Sequence, residues 1–421
     1  MDANNIGANI LELLQGRFIG ILGVLAIFVI ALVFSRNRGG INFRIVLSAF
    51  ALQVAIAFFV LYTSIGKGVI GGIAQGVNSV LGYANAGIGM VFGQLAGDSF
   101  GTVFAIHVLP IIIFFSALMS VLYHLRVMQV IVAGVGGFLQ AVIGTRPVES
   151  LNAAANVFVG QTEAPLAIKP YLGRLTGPQL FAIMVSGLAS VAGTVLAAYA
   201  QIGVQLEYLL AASFMAAPGG LLMAKLILPD GKEKDDDDLT VMAITKERSS
   251  HTNVMMAAAV GAQDGLKLAL TIGAMLIAFV GLIALVNGLL GGIGGLIGME
   301  DLSAQKILGW VFAPLMFLLS VPWAESQAAG AIFGEKLILN EFVAYFSLIG
   351  QAETLSPKTV AIVTFALCGF ANFSSIAILL GGLGSLIPDR MSEIAKYGVH
   401  AILAASLSNL MSAALAGLIL P

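Results

Sequence analysis

Apolar residues run along this chain in eight blocks of about 20, near 18–35, 42–62, 102–124, 178–200, 208–228, 266–290, 358–385 and 396–419. A helix needs about that many residues to cross ~30 Å of hydrocarbon at ~1.5 Å per residue, so eight membrane spans are predicted. Residues 65–97 and 126–145 are also apolar, but glycine-rich and weakly charged, which fits amphipathic helices lying along the membrane interface. Gly291 to Gly298 reads as a soft connector, and 229–252 is the one long hydrophilic stretch, dividing the chain into portions of comparable hydropathy.

Two apolar stretches break this pattern. From Pro147 to Leu175 and from about Trp310 to Leu339, each arm is about a dozen residues long and a small or polar tip interrupts the middle. Neither stretch can cross the bilayer twice, so both are predicted to be re-entrant hairpins, tolerated at membrane depth only where their backbone faces protein or a water-filled cavity. A broken helix follows each. Laying Pro178 over Pro357 aligns Ala182 with Ala361, Ile183 with Ile362, Leu188 with Leu367 and Ala192 with Ala371. The repeated order of hairpin, broken helix and span implies inverted repeats, an arrangement typical of secondary transporters, with the site where the broken helices meet.

Composition supports a membrane reading: 59% of the 421 residues are hydrophobic and 10% charged, too little polar surface to cover a soluble globule. Residues 1–17 are mixed, with Asp2 and Glu12, and do not open like a cleavable signal, so the first block is expected to be a span. Basic residues stay on the cytoplasmic side. Arg36, Arg38 and Arg44 put the first loop inside, and Arg126, Lys169, Arg174, Lys232, Lys234, Lys246, Arg248 and Arg390 agree. Both termini then lie outside. The net charge of −2 and the lack of a basic stripe with interleaved aromatics argue against nucleic acid as a partner. The single cysteine, Cys368, excludes an intrachain disulfide, and four scattered histidines make no metal cluster. The Asp235 to Asp238 run lacks the alternating ligand spacing of a calcium loop and reads as a solvated face.

Polar residues in the broken elements carry the chemistry, because a charge at a span's centre costs at least ~2.5 kcal/mol. The first hairpin tip, Gly160 to Pro165, sets Gln161, Thr162 and Glu163 side by side, able to read donors and acceptors on a polar heterocycle or, alternatively, to cap two half-helices. In the second repeat, Glu341 follows the hairpin, and Asn372, Ser374 and Ser375 mark an unwound segment. A carboxylate accepts two hydroxyls at once, so Glu341 with Asn372 suits a vicinal diol. Ser374 serves helix packing equally well. Phe370 and Val195 offer apolar surface for a planar base, or are core. Glu149 and Glu325 sit on hairpin arms, where pairing with cations is favoured over a proton relay, with Lys336 not far from Glu325 in sequence. No nucleophile with its base is visible, which argues against an enzyme.

The motifs GQTEAP (Gly160 to Pro165), NEFVAY (Asn340 to Tyr345) and ALCGFANFSS (Ala366 to Ser375), in this order, resemble those of the concentrative nucleoside transporters, and the resemblance spans roughly residues 18–420. It implies that Gln161, Thr162 and Glu163 meet the nucleobase, flanked by Val195 and Phe370, and that Glu341, Asn372 and Ser375 meet the ribose. It also implies a sodium site at Asn156, Val159, Ser190 and Val191, whose amide, hydroxyl and carbonyl oxygens suit a weakly held monovalent cation. A homotrimer with mobile transport domains on a fixed scaffold is implied as well.

The expected fold is an all-α polytopic membrane protein with about eight spans, two re-entrant hairpins in inverted repeats, and interfacial helices. Its organisation would be 1–145 scaffold spans 1 to 3 with interfacial helices, 146–228 a first repeat, 229–265 a cytoplasmic loop and interfacial helix, 266–309 scaffold span 6 and connector, and 310–421 a second repeat. The expected function is sodium-coupled nucleoside import across the cytoplasmic (inner) membrane by alternating access, with membrane lipid as solvent and no organic cofactor. Proton coupling is the alternative ion. A sodium-coupled carboxylate carrier is the alternative solute class, disfavoured because neither tip carries arginine and both repeats supply a glutamate.

Overall fold

A computed structural model describes residues 3–97, 103–230, 252–296, 298–299 and 301–420, with side chains from residue 18 onward; Asp235 to Asp238 and the basic residues of that loop lie outside this set. Among the described residues every regular element is helical. That follows from the solvent, since hydrocarbon offers no partner to a backbone N–H or C=O and a helix bonds them internally.

The order is α1 (Ala3–Val33), α2 (Phe43–Tyr62), α3 (Ser64–Phe92), α4 (Phe104–His107), α5 (Leu109–His124), α6 (Val127–Ile143), α7 (Pro147–Asn156), α8 (Gly177–Ala189), α9 (Gly193–Gln201) and α10 (Leu206–Ile227). Then come α11 (Val254–Leu296), α12 (Ala304–Leu318), α13 (Trp323–Ile338), α14 (Glu341–Gly350), α15 (Pro357–Leu367), α16 (Ser374–Gly381), α17 (Leu383–Leu386) and α18 (Met391–Ile419). Each of the eight apolar blocks coincides with a helix or a broken helix. The segments read as interfacial are α3 and α6.

Both broken helices start on a cap. Thr176 and Gln179 form a reciprocal capping box at α8, with Pro178 in the first turn. Ser356 caps α15, with Pro357 in its first turn. The hairpins precede them. In the second, α12 and α13 bend by 118° about Leu319 to Pro322. In the first, α7 turns back through a 3-10 stretch, Ala164–Arg174, with Pro170 inside it, so the return arm is not an α-helix.

Two boundaries differ from the sequence expectation. The second hairpin starts at Ala304 rather than near Trp310, because Ser303 caps it (Lys306 N donates to Ser303 Oγ, 3.2 Å) and Asn287 accepts from Ala304 N at 2.9 Å. The glycines from Gly291 to Gly295 continue α11 instead of breaking it. At 43 residues this helix is roughly 64 Å long, well over a bilayer's hydrocarbon thickness. Beyond its end, a hydrogen bond from Lys306 holds the exposed Asp301 carboxyl below its ordinary range.

Helix α11 packs on α5 through the small residues Ala257, Gly261, Gly265 and Ala269, spaced by four. A Cβ on Gly261 would lie 2.6 Å from Ser116 O, so the glycine permits the close approach, and Ser120 Oγ donates to Ala257 O at 2.7 Å. The opposite face of α11 stays exposed and apolar, with Leu270, Ile277, Leu285 and Leu289 on it. Helices α8, α10, α15 and α18 form the buried centre, flanked by α1 and α2, and α5 touches this bundle mainly through α9.

The base of the first hairpin is held electrostatically. Lys225 of α10, almost wholly buried, donates to Glu149 at 2.6 Å and to Asp230 at 2.6 Å, and Arg146 N donates to Glu149 at 3.2 Å. Removing one partner of a buried pair leaves an uncompensated charge and costs about 3–5 kcal/mol. Lys225→Met is therefore expected to lower the thermal midpoint of the detergent-purified protein markedly. Lys267→Met, at an exposed pair, should leave it nearly unchanged.

Candidate functional site

The two helix breaks meet at one place. Helix α8 stops at Ala189 and α9 starts at Gly193, while α15 stops at Leu367 and α16 starts at Ser374. The breaks are tied directly, Phe370 N donating to Ser190 O at 3.3 Å. Each hairpin is also bonded to its own repeat's break by one backbone bond: Gly193 N to Phe158 O at 3.0 Å, and Phe373 N to Leu337 O at 3.1 Å. These bonds correspond, within one residue, in the register that lays Pro178 over Pro357. The repeats inferred from four identities thus share a main-chain contact.

A cavity of about 370 Å³ lies against both breaks. All eight residues expected around a base and a sugar line it: Gln161, Thr162, Glu163, Val195, Phe370, Glu341, Asn372 and Ser375. Glu341 opens α14, where the helix dipole favours a carboxylate. Tyr199 Oη donates to Glu341 Oε1 at 2.9 Å and Asn372 Nδ2 to Oε2 at 3.0 Å. Asn372 is a hub, its Oδ1 accepting from Ser374 Oγ at 2.7 Å and from Ser375 N and Oγ at 2.9 Å. Ser374 therefore belongs to the unwound segment's own bonding. The carboxylate is locked in orientation yet retains lone pairs, since it has about four acceptor sites.

Across the cavity, Glu163 accepts from Gly160 N at 3.3 Å, and the buried Gln161 Oε1 has no partner among the described residues. The cap position before the 3-10 arm is Glu163, which makes no side-chain cap bond. Phe370 is half-buried with its ring on the cavity. Phe342, stacked edge-on between Tyr199 and Phe104, backs Glu341 with apolar surface.

The four residues expected around a cation lie behind the cavity wall, all buried. Asn156 donates from Nδ2 to Asn152 O at 2.9 Å, but its Oδ1 has no partner, nor has Asn152 Oδ1. Ser190 Oγ donates to Ser186 O at 3.0 Å, which leaves its lone pairs free. An orphaned buried amide oxygen costs about 1–3 kcal/mol, and a hard monovalent cation among neutral oxygens removes that cost. Among the described residues no cluster of histidine, cysteine and carboxylates suited to a metal exists.

The hairpin acids behave differently from one another. Glu149 pairs with Lys225 as expected, whereas Glu325 accepts from Ser356 N at 3.2 Å and Oγ at 2.9 Å, securing the cap of α15. Lys336 is not its partner. Sequence reasoning missed Tyr199, which looks like one more aromatic in an apolar run, and Asp264 of α11, which lines the cavity. It also missed Asn409 of α18, whose Nδ2 donates to Ala189 O at 2.7 Å and Cys368 O at 2.9 Å, joining the two breaks. An asparagine inside the final span carried a usable signal, since polar groups at membrane depth are costly.

Three family models cover nearly the whole chain: Na+ dependent nucleoside transporter N-terminus over residues 22–95, nucleoside recognition (gate) over 105–206, and Na+ dependent nucleoside transporter C-terminus over 208–417. The chain is 48% identical to the nucleoside permease NupC of Helicobacter pylori, covering 94% of this chain and 96% of the permease. It is 51% identical to an uncharacterised transporter of Haemophilus influenzae over 94% and 96% of the two chains. Among solved structures, CNTnw in an inward-facing substrate-bound state matches with a TM-score of 0.91 and 47% identity over 97% of this chain and 98% of that one. CNTnw variants in outward-facing and intermediate states match similarly.

Gly187 sets how near the first hairpin tip can come to α8. A Cβ there would lie 2.8 Å from Gln161 Cβ and 3.7 Å from Asn156 Oδ1. Gly187→Ala is expected to push the tip outward at a cost of about 1–3 kcal/mol. Faster thiol labelling of a Thr162→Cys reporter in the Gly187→Ala background would register that displacement, and unchanged labelling would contradict it.

Proposed function

We propose that this chain, which belongs to the Na+ dependent nucleoside transporter family, imports nucleosides across the cytoplasmic membrane in symport with sodium by alternating access. The observation that carries this reading is the convergence of the two hairpin ends and the two helix breaks on one cavity, with Glu341 fixed by Tyr199 and Asn372 and the acceptors Gln161 and Glu163 opposite.

In this reading the ribose hydroxyls donate to Glu341 and exchange hydrogen bonds with Asn372 and Ser375, while the base edge meets Gln161, Thr162 and Glu163. Val195 and Phe370 flank the base. Three carboxylates, Glu163, Glu341 and Asp264, line the cavity and no lysine or arginine does, which disfavours an anionic solute. Sodium at Asn156, Val159, Ser190 and Val191 would satisfy the orphaned amide oxygen and brace the hairpin tip that carries Gln161. That orphan favours sodium over a proton as the coupling ion.

Translocation would move the repeats, 146–228 and 310–421, against α5 and α11. The limited contact of that pair with the bundle, and the several states in which CNTnw has been solved, support this. The exposed apolar face of α11 supports a homotrimer built on it. The first loop would be cytoplasmic and both termini outside.

Calorimetric titration of the purified protein with uridine, with sodium and with potassium in its place, tests the site. Glu341→Ala should abolish binding. Tyr199→Phe removes one hydrogen bond to a charged group, worth about 1.5–3 kcal/mol, and should weaken binding at least tenfold while leaving the fold intact. Asn156→Leu should remove the sodium dependence. Full uridine affinity in Glu341→Ala would sink the assignment.

A further inference from the structure

The second repeat holds a fully buried lysine that the transport reading leaves without a task. Lys336 lies in the last turns of α13, and none of the ion pairs among the described residues includes it. Its Nζ donates to Ala366 O at 2.7 Å and to Asn409 Oδ1 at 2.8 Å, and sits 5.8 Å from the centre of the Phe333 ring. A long cationic side chain at this depth is costly, so a specific role is expected of it.

Its position in the repeat identifies that role. With Pro178 laid over Pro357, Gly187 falls on Ala366 and Asn156 falls on Glu335, one residue before Lys336, the same one-residue offset that holds between Gly193 and Phe373. Asn156 Oδ1 faces Gly187, and the Lys336 ammonium takes the carbonyl of Ala366. The corresponding backbone bonds, Gly193 N to Phe158 O and Phe373 N to Leu337 O, show that the two neighbourhoods superpose in connectivity. At the end of α8 the Asn156 oxygen is unpartnered, whereas at the end of α15 the Lys336 head group is in place on Ala366 O.

We propose that Lys336 is the built-in cation of the second repeat, its ammonium holding the place that the transported sodium takes in the first. This rests on the reading of Asn156 and Ser190 as ion ligands. Each half-helix that ends at a break, α8 or α15, presents the negative end of its dipole to the centre of the fold. In the second repeat the tethered Lys336 head group faces that end, and Asn409 links it to the first by bonding the last carbonyl of α8 and that of Cys368. The second break is thereby kept in shape whether or not ions are present, while the first depends on sodium. One break is a fixed wall for the sugar, the other an ion-gated wall for the base, and one sodium accompanies each nucleoside.

The test uses full-length detergent-purified protein, reading thermal stability against sodium concentration and uridine affinity by calorimetry. Wild-type protein is expected to show sodium stabilisation with a Hill coefficient of about 1. Lys336→Met should bind uridine about tenfold more weakly or worse, with its sodium midpoint in the absence of uridine unchanged. Lys336→Asn, which removes the tethered cation and leaves an amide in its place, should admit a further ion and raise the Hill coefficient towards about 2. Unchanged uridine affinity in Lys336→Met with sodium dependence intact would overturn the proposal alone, and wild-type protein indifferent to sodium would overturn the sodium reading and this counterpart together. If neither variant folds, the wild-type charge-to-uridine ratio in proteoliposomes decides: about one charge per uridine supports the proposal and about two overturns it.

Discussion

At membrane depth a backbone carbonyl that leaves a helix must find a partner in the protein, and this fold breaks two helices at one point. The breaks survive because they satisfy each other. Ser190 O accepts from Phe370 N, Asn409 bonds Ala189 O and Cys368 O, and Lys336 bonds Ala366 O. Each hairpin adds one main-chain bond to the break of its own repeat. Everything functional is suspended from this knot, since Glu341, Asn372 and Gln161 are all placed by residues within a few positions of it.

The knot also explains why the cavity is polar on two opposite walls. Unwinding frees Asn372 to gather Ser374 and Ser375 on one oxygen and to present its amide to Glu341. Tyr199, on the far half of the other broken helix, reaches the same carboxylate, so the Glu341 wall is built by both repeats. The opposite wall rests on the first hairpin, whose Asn156 and Gln161 oxygens lack partners. Partial satisfaction of a buried network makes it sensitive to what binds. In the proposed mechanism, that asymmetry between a completed wall and an incomplete one is what couples an ion to a solute.

Much of this was legible in the chain itself. Each of the eight apolar blocks falls on a helix or a broken helix, and the order repeated around Pro178 and Pro357 pointed to a broken helix after each hairpin. The eight residues around the cavity could be chosen because polar groups at membrane depth are few and the motifs are long. Other features were hidden for identifiable reasons. Gly291 to Gly295 resembles a connector, yet in an apolar environment a helix is the cheaper way to bond its backbone. The start of the second hairpin at Ala304 depends on a cap from Ser303 and on Asn287 seventeen residues earlier. Tyr199 and Asp264 reach the site only through tertiary packing, which no local pattern encodes. Glu325 was expected to seek a cation and instead completes a helix cap, a choice made by its distance from Ser356 in space.

In the proposed mechanism sodium completes the site and thereby drives nucleoside across the membrane. Uridine accumulation in proteoliposomes, under an inward sodium gradient and then under an inward proton gradient at equal membrane potential, tests it most directly. Accumulation with the sodium gradient alone is the predicted result. Accumulation with the proton gradient alone would contradict the claim and leave the Asn156 oxygen without its ion.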